Sequence, residues 1–197
     1  MSLLESLQAK KINLKRTETF VTCVDGRKFK ETKDSTTEVL RTPYGFVVDM
    51  KPDDIPAKIT GNLYLGSQDC CEEKILKKYN ITYVLSIGIE APMIYSYIIY
   101  KFVQCLDLPE TNLRDSLREC IPFIERAKIQ SSNVLVHCNA GVSRSASIVI
   151  GYLILVEDYS YVDAYNIVKN ARNCIKPNTG FEKQLQCLSS SKCNFFM

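Results

Sequence analysis

One nonapeptide, His137-Cys138-Asn139-Ala140-Gly141-Val142-Ser143-Arg144-Ser145, limits what this chain can fold into more than any other stretch. The short apolar run Val134-Leu135-Val136 precedes it, and an apolar segment from Ile148 to Val156 follows. The first reads as a strand. The second is too short to span a bilayer and starts at the loop, so it reads as a helix buried inside a domain. The pattern therefore predicts a strand, a tight loop and a helix, the junction where free backbone N–H groups and the positive end of a helix dipole converge. Gly141 can take the positive φ that such a turn demands, and the small side chains of Asn139, Ala140 and Ser143 leave the loop room to curl.

The residue types within the loop point to phosphate chemistry. Only a thiolate is nucleophilic, so Cys138, set where amides and the helix dipole favour an anion, is the candidate nucleophile. The same amides would hold phosphoryl oxygens, which makes Asn139, Ala140, Gly141, Val142, Ser143 and Arg144 the candidate phosphate-binding set. Arg144 offers a planar fork that grips two oxygens and follows the charge of an in-line transfer, which lysine cannot copy. Ser145 places a hydroxyl within reach of the sulfur, where it would stabilise the thiolate as a leaving group. His137 is the only histidine of the chain and is expected to brace the loop backbone. With one histidine and no C-x-x-C pair, no metal site is expected, and no cofactor. Phosphate-ester hydrolysis through a cysteinyl-phosphate is the chemistry implied. The competing reading is a buried strand-turn-helix with an incidental core cysteine.

Expelling an oxygen leaving group from phosphorus is slow without a proton, so a carboxylic acid should face the sulfur. Asp107 is the candidate. It follows the apolar residues Phe102, Val103, Cys105 and Leu106, and Pro109 closes the run, which places the aspartate on a loop at the C-terminal edge of a strand. A turn or helix-capping aspartate would carry the same pattern. Glu110 reads as a capping-box partner or a solvated face.

Taken together these residues resemble the cysteine-dependent protein phosphatases, and within them the atypical dual-specificity phosphatases. The resemblance covers most of the chain. It includes Leu63-Tyr64-Leu65-Gly66-Ser67, Leu106-Asp107-Leu108-Pro109-Glu110-Thr111-Asn112, and Pro177-Asn178-Thr179-Gly180-Phe181 with Gln184-Leu185. It is strongest towards members that regulate the stress-activated protein kinase pathway, and it extends to Asp25-Gly26-Arg27-Lys28. The resemblance implies a protein phosphatase for phosphotyrosine and phosphoserine or phosphothreonine, in which Asp107 protonates the leaving group and then accepts a proton from the attacking water. The implied partner is a phosphorylated signalling protein, a MAP kinase or its activating kinase.

Other branches fit less well. The chain has no tryptophan for a Trp-Pro-Asp loop, and Ala146 stands where the tyrosine-specific enzymes usually have glycine. The loop interior lacks the lysines of phosphoinositide phosphatases, and the signature lies two-thirds along the chain, unlike that of the low-molecular-weight enzymes. Two alternative functions stay open. One is a kinase-pathway scaffold with secondary catalysis, suggested by Lys10-Lys11-Ile12-Asn13-Leu14-Lys15-Arg16, although a solvated helix face has the same pattern. The other is hydrolysis of a small non-protein phosphate ester, since a fold does not dictate what carries the phosphate.

At 197 residues and 46% hydrophobic content the chain can bury one full core beside an appendage. A net charge of only +3 argues against nucleic-acid binding. Nine irregularly spaced cysteines read as reduced thiols of a cytoplasmic protein, with the nucleus a further expected location. The first twenty residues lack the apolar core of a signal peptide, and neither end carries a lipidation pattern, so no membrane association is expected.

Three regions are expected: an N-terminal extension over 1–57 with a helix and a hairpin, the catalytic domain over 58–190, and a tail over 191–197. The first boundary follows the breaker-rich Lys51-Pro52-Asp53-Asp54-Ile55-Pro56. The hairpin is expected where Phe20 to Val24 and Arg27 to Lys30 flank Asp25-Gly26. From Ile59 on, strand-like runs (Leu63 to Leu65, Tyr83 to Ile87, Ile99 to Leu106, Val134 to His137) alternate with helical stretches, which predicts an α/β fold with a central, mostly parallel sheet flanked by helices on both faces. Tyr161, Ala164, Tyr165 and Val168 recur at helical spacing as core, and Asn178 is expected to cap the last helix. Pro122 interrupts the periodic segment Leu113, Leu117, Ile121, Ile124 and predicts either a kink or a new helix start.

Overall fold

A computed structural model describes residues 19–22, 28–32, 35–38 and 53–190. The chain divides into two compact units, Met1–Lys51 and Pro52–Met197. In the first, β1 (Thr19–Thr22), β2 (Lys28–Thr32) and β3 (Ser35–Glu38) form an antiparallel meander, with Thr22 opposite Lys28 and Thr32 opposite Ser35. β1 and β2 thus flank the Asp25-Gly26 pair. The pair itself, the expected N-terminal helix, the Lys10 to Arg16 segment and the 191–197 tail lie outside the described residues.

The second unit begins at Pro52 and not at residue 58, because Asp53 is built into it: its backbone carbonyl accepts from Ser67 Oγ at 2.7 Å and its N–H donates to Asp69 Oδ2 at 3.1 Å. Five strands, β4 (Ala57–Thr60), β5 (Leu63–Gly66), β6 (Ile81–Ile87), β7 (Ile99–Val103) and β8 (Asn133–His137), form one sheet in the order β4-β5-β8-β6-β7. β4 pairs antiparallel with β5, and the other pairings are parallel. A 3₁₀ turn at Gln68–Cys71 leads into α1 (Glu73–Lys78). It is followed along the chain by α2 (Leu113–Ile129), α3 (Arg144–Leu155), α4 (Tyr161–Ala171) and α5 (Thr179–Ser190).

Alternation along the strands separates two apolar layers. Leu63, Leu65, Tyr83, Leu85, Val134 and Val136 face a large core shared with α2, α3, α4 and α5, whereas Tyr64, Val84 and Leu135 face a smaller one with Cys70, Cys71, Ile75 and Leu76. α3 lies inside the large core, with every residue from Ser145 to Ile154 buried. An apolar helix in that position needs no polar face. Among the described residues no helix is long and apolar enough to cross a membrane.

Two details differ from expectation. β7 ends at Val103 instead of Leu106, because β7 is an edge strand and its partner β6 stops at Ile87, opposite Val103. Residues 104–106 thereby join the loop that carries Asp107. α2 runs unbroken through Pro122, so the proline does not start a new helix. Its ring is on the exposed side, where water can serve the carbonyl that lost its N–H partner.

Candidate active site

β8 is the central strand, flanked on both sides by parallel neighbours, and its C-terminal end runs straight into the nonapeptide. Five successive carbonyls of this loop are engaged, that of Cys138 by the ring of His137 and the next four by groups outside the loop. The Cys138 carbonyl meets His137 Nδ1 at 3.3 Å, that of Asn139 accepts from the Gln68 N–H at 3.0 Å, and that of Val142 from the Lys176 N–H at 2.9 Å. Between them, Arg172 donates through Nη2 to the Ala140 carbonyl and through Nε to the Gly141 carbonyl, both at 2.9 Å. In a planar trans peptide the N–H of the following residue points opposite to the carbonyl. The N–H groups of residues 139–143 are therefore turned away from these partners, into the hollow of the loop. Gly141 has a φ of +64°, and a Cβ there would lie 2.5 Å from the Gly66 carbonyl oxygen, so both conformation and space require glycine.

The sulfur of Cys138 is buried in this turn and accepts a hydrogen bond from Ser145 Oγ at 3.1 Å. Arg144 starts α3, and its Nε is buried with no hydrogen-bond partner among the described residues. A Cβ on Gly88, whose φ is +68°, would come within 2.5 Å of Arg144 Nη1, so this glycine opens the passage for the guanidinium. His137 is fully buried, with Nε2 2.7 Å from Ser86 Oγ on β6. Burial pushes its pKa down to about 4, so the ring is neutral near neutral pH. The partners assign the tautomer: Nδ1–H donates to the Cys138 carbonyl, and Nε2 accepts from the serine hydroxyl.

Asp107 sits on the loop after β7 and faces the nonapeptide. Its Oδ1 takes two hydrogen bonds, from Ser143 Oγ at 2.6 Å and from Asn178 Nδ2 at 2.8 Å. Its Oδ2 lies 3.9 Å from Arg144 Nε. Asn178 also caps α5, accepting from the Phe181 N–H at 2.9 Å, so one amide both starts a helix and orients a carboxylate. Gln184 of α5 accepts from the Leu113 N–H and donates to the Thr111 carbonyl, both at 2.9 Å, and so fastens the far end of the Asp107 loop. Glu110 is exposed, and the cap of α2 comes from Asn112, which accepts from the Arg114 N–H at 3.0 Å.

The structure thus brings Cys138, Arg144, Ser145, Asp107, His137 and the 139–143 backbone to one place. Sequence reasoning missed the groups that hold them: Arg172, Asp53, Ser86, Gln184 and Gly88. Arg172 left a readable trace. It follows Ala164 and Val168 at intervals of four, one residue past the end of α4, so the helical spacing continues the core face to its position, where a cation requires partners. Among the described residues no group of three or more His, Cys, Asp or Glu side chains converges to hold a metal ion.

Comparison with known proteins agrees with this geometry. Residues 63–190 match the family model described as the catalytic domain of dual specificity phosphatases. The chain is 40% identical over 190 residues to dual specificity protein phosphatase 19 of mouse, an alignment covering 91% of this chain and 86% of that protein. It is 37% identical over 130 residues to human dual specificity protein phosphatase 22, covering 66% and 71% respectively. The crystal structure of DUSP15 aligns with a TM-score of 0.66 at 31% identity, over 71% of this chain and 90% of that one. A cysteine and an arginine set in a loop of inward amides, on this sheet and with these relatives, lead to one assignment: the chain belongs to the atypical dual-specificity phosphatases, a family of cysteine-dependent protein phosphatases.

Proposed function

We propose that the chain hydrolyses phosphotyrosine and phosphoserine or phosphothreonine esters of a signalling protein through a cysteinyl-phosphate, within a MAP kinase pathway. The Cys138 sulfur attacks phosphorus in line while the N–H groups of 139–143 and the Arg144 guanidinium hold the non-bridging oxygens. The P–O bond to the substrate breaks as Asp107 delivers a proton to the departing oxygen. Asp107, now ionised, takes a proton from water, the water oxygen attacks the phosphoryl group, and the P–S bond breaks. Ser145 donates to the sulfur as it leaves.

The observation that carries this reading is the Ser145 hydroxyl 3.1 Å from the Cys138 sulfur, at the mouth of a loop whose carbonyls are engaged elsewhere. Exposed Leu106 and Leu108 on either side of Asp107 form an apolar rim that suits a residue embedded in a protein better than a small polar ester. The pathway rests on the resemblance to stress-activated kinase regulators. The cytoplasm, with the nucleus, is the compartment proposed, in keeping with seven free cysteines among the described residues.

Purified protein should hydrolyse an aryl phosphate without added metal, and Cys138→Ser should abolish turnover while still retaining a phosphopeptide in a pull-down. Turnover that survives Cys138→Ser overturns the reading. Asp107→Asn should lower kcat by about 10² to 10⁴ with little change in KM, measured with a poor leaving group.

A further inference from the structure

Arg172 is 7% exposed, the lowest of any arginine or lysine among the described residues, and its fork divides between the active loop and a single carboxylate. Nε and Nη2 hold the Gly141 and Ala140 carbonyls. Nη1 and Nη2 meet the two carboxylate oxygens of Asp53, the former at 3.3 Å to Oδ1 and the latter in a close contact with Oδ2. Burial works against the guanidinium charge, and the Asp53 hydrogen bond and charge more than offset it. We infer that Asp53 is a positioning residue of the phosphatase reaction, holding the Arg172 fork against two carbonyls so that the N–H groups of Gly141 and Val142 aim at the phosphoryl oxygens. This rests on the cysteinyl-phosphate reading above.

The bonding is directional. A peptide unit rotates as one plate, so whatever fixes its carbonyl also fixes the opposite N–H. Arg172 fixes two adjacent plates. A long arginine side chain has many rotamers, and a bidentate carboxylate removes most of that freedom. Asp53 is itself fixed through its backbone: its carbonyl accepts from Ser67 Oγ at 2.7 Å and Cys70 Sγ at 3.3 Å, and its N–H donates to Asp69 Oδ2 at 3.1 Å. The carboxylate thus reaches its arginine, 119 residues away in sequence, from a segment pinned to the turn after β5. Without its charge the guanidinium keeps both carbonyl acceptors and loses its restraint, so oxyanion binding suffers before the fold does.

The test compares wild type with Asp53→Asn, Asp53→Glu, Arg172→Lys and the Asp53→Asn/Arg172→Lys double variant. Four quantities are measured: kcat and KM on an aryl phosphate, inhibition by tungstate as a tetrahedral oxyanion probe, and the thermal midpoint. Asp53→Asn should lower kcat/KM by about tenfold and weaken tungstate inhibition by a similar factor at temperatures well below its own midpoint. Asp53→Glu should recover part of both. The double variant should be no worse than Arg172→Lys alone, because the two residues act as a unit. Unchanged kcat and tungstate affinity in Asp53→Asn, in a protein that Cys138→Ser inactivates, overturns the inference and leaves the phosphatase reading intact. Turnover surviving Cys138→Ser removes both. Where Asp53→Asn yields no folded protein, Arg172→Lys is judged by the same two outcomes.

Discussion

Two strand-to-helix turns lie side by side in this molecule, and both carry cysteine. β5 and β8 run parallel, with Gly66 in register with His137, and each strand leads into a turn and then a helix. In the turn after β5, the Cys70 thiol donates to the Asp53 carbonyl at 3.3 Å, and burial pushes Cys70 up to about 11 and Cys71 to about 12. In the turn after β8, Cys138 accepts from a hydroxyl, and the carbonyls of residues 139–142 are held by outside donors. A serine sits in each turn, yet Ser67 Oγ is spent on the Asp53 carbonyl and Ser145 Oγ on a sulfur. The Cys70 thiol gives its hydrogen bond to a carbonyl, whereas the Cys138 sulfur receives one from a hydroxyl. The two turns differ in which way the hydrogen bond at sulfur points, not in the identity of the residue.

The largest test of that contrast is chemical. With iodoacetamide near neutral pH, Cys138 should be alkylated at least about a hundredfold faster than Cys70 or Cys71, as read by peptide mass spectrometry. Tungstate should protect Cys138 and leave the slow sites unaffected. Comparable labelling of Cys70 would erase the distinction between the turns.

Acid should then unfasten one turn and not the other, because only the β8 turn is clamped by a histidine. The folded-state pKa of His137, about 4, lies below the ordinary value of 6.5, so the unfolded chain holds the proton more tightly. The stability contributed by the neutral ring is complete above about pH 6.5 and is lost as pH falls through 4. The loss amounts to about 3 kcal/mol. Denaturant unfolding of wild type and His137→Gln at pH 7 and pH 4.5 should show the gap between them narrowing on acidification. A constant gap would mean that the ring is not buried neutral.

The same contrast explains what could be read in the sequence. Cys138, Arg144, Ser145 and His137 announce themselves because their chemistry resides in side chains packed into nine consecutive residues. Asp107 was legible from the strand before it and the proline after it, and Asn178 as the cap of α5. The roles of Arg172, Gln184 and Asp53 were not: the first two act on backbone carbonyls and amides, which carry no residue identity, and Asp53 acts only through Arg172. They also arrive from far along the chain: Arg172 from 31 residues beyond Gly141, and Gln184 from 73 residues beyond Thr111. The sheet was readable from alternation, whereas the early end of β7 depended on where its neighbour β6 stopped. Edge strands end where their partner does, and a single-strand pattern cannot say where that is.

The smallest effect concerns the hydroxyl that separates the two serines. In the proposed cysteinyl-phosphate mechanism, removing Ser145 Oγ deletes a hydrogen bond to the sulfur in its charged form, worth about 1.5 to 3 kcal/mol. In the attack step that bond opposes catalysis, since it stabilises the thiolate being consumed. In the second step it assists, since the sulfur regains its charge as the P–S bond breaks. Ser145→Ala should therefore leave the first step nearly intact and slow the second by about tenfold. Stopped-flow measurement on an aryl phosphate should show a burst of leaving group followed by a slower steady state, with the burst amplitude matching the enzyme concentration. Ser67→Ala removes a hydroxyl aimed at a carbonyl and should produce no burst. If Ser145→Ala gives single-phase kinetics at the wild-type rate, its hydroxyl plays no part in the departure of sulfur, and the two turns differ only in how their backbones face the thiol.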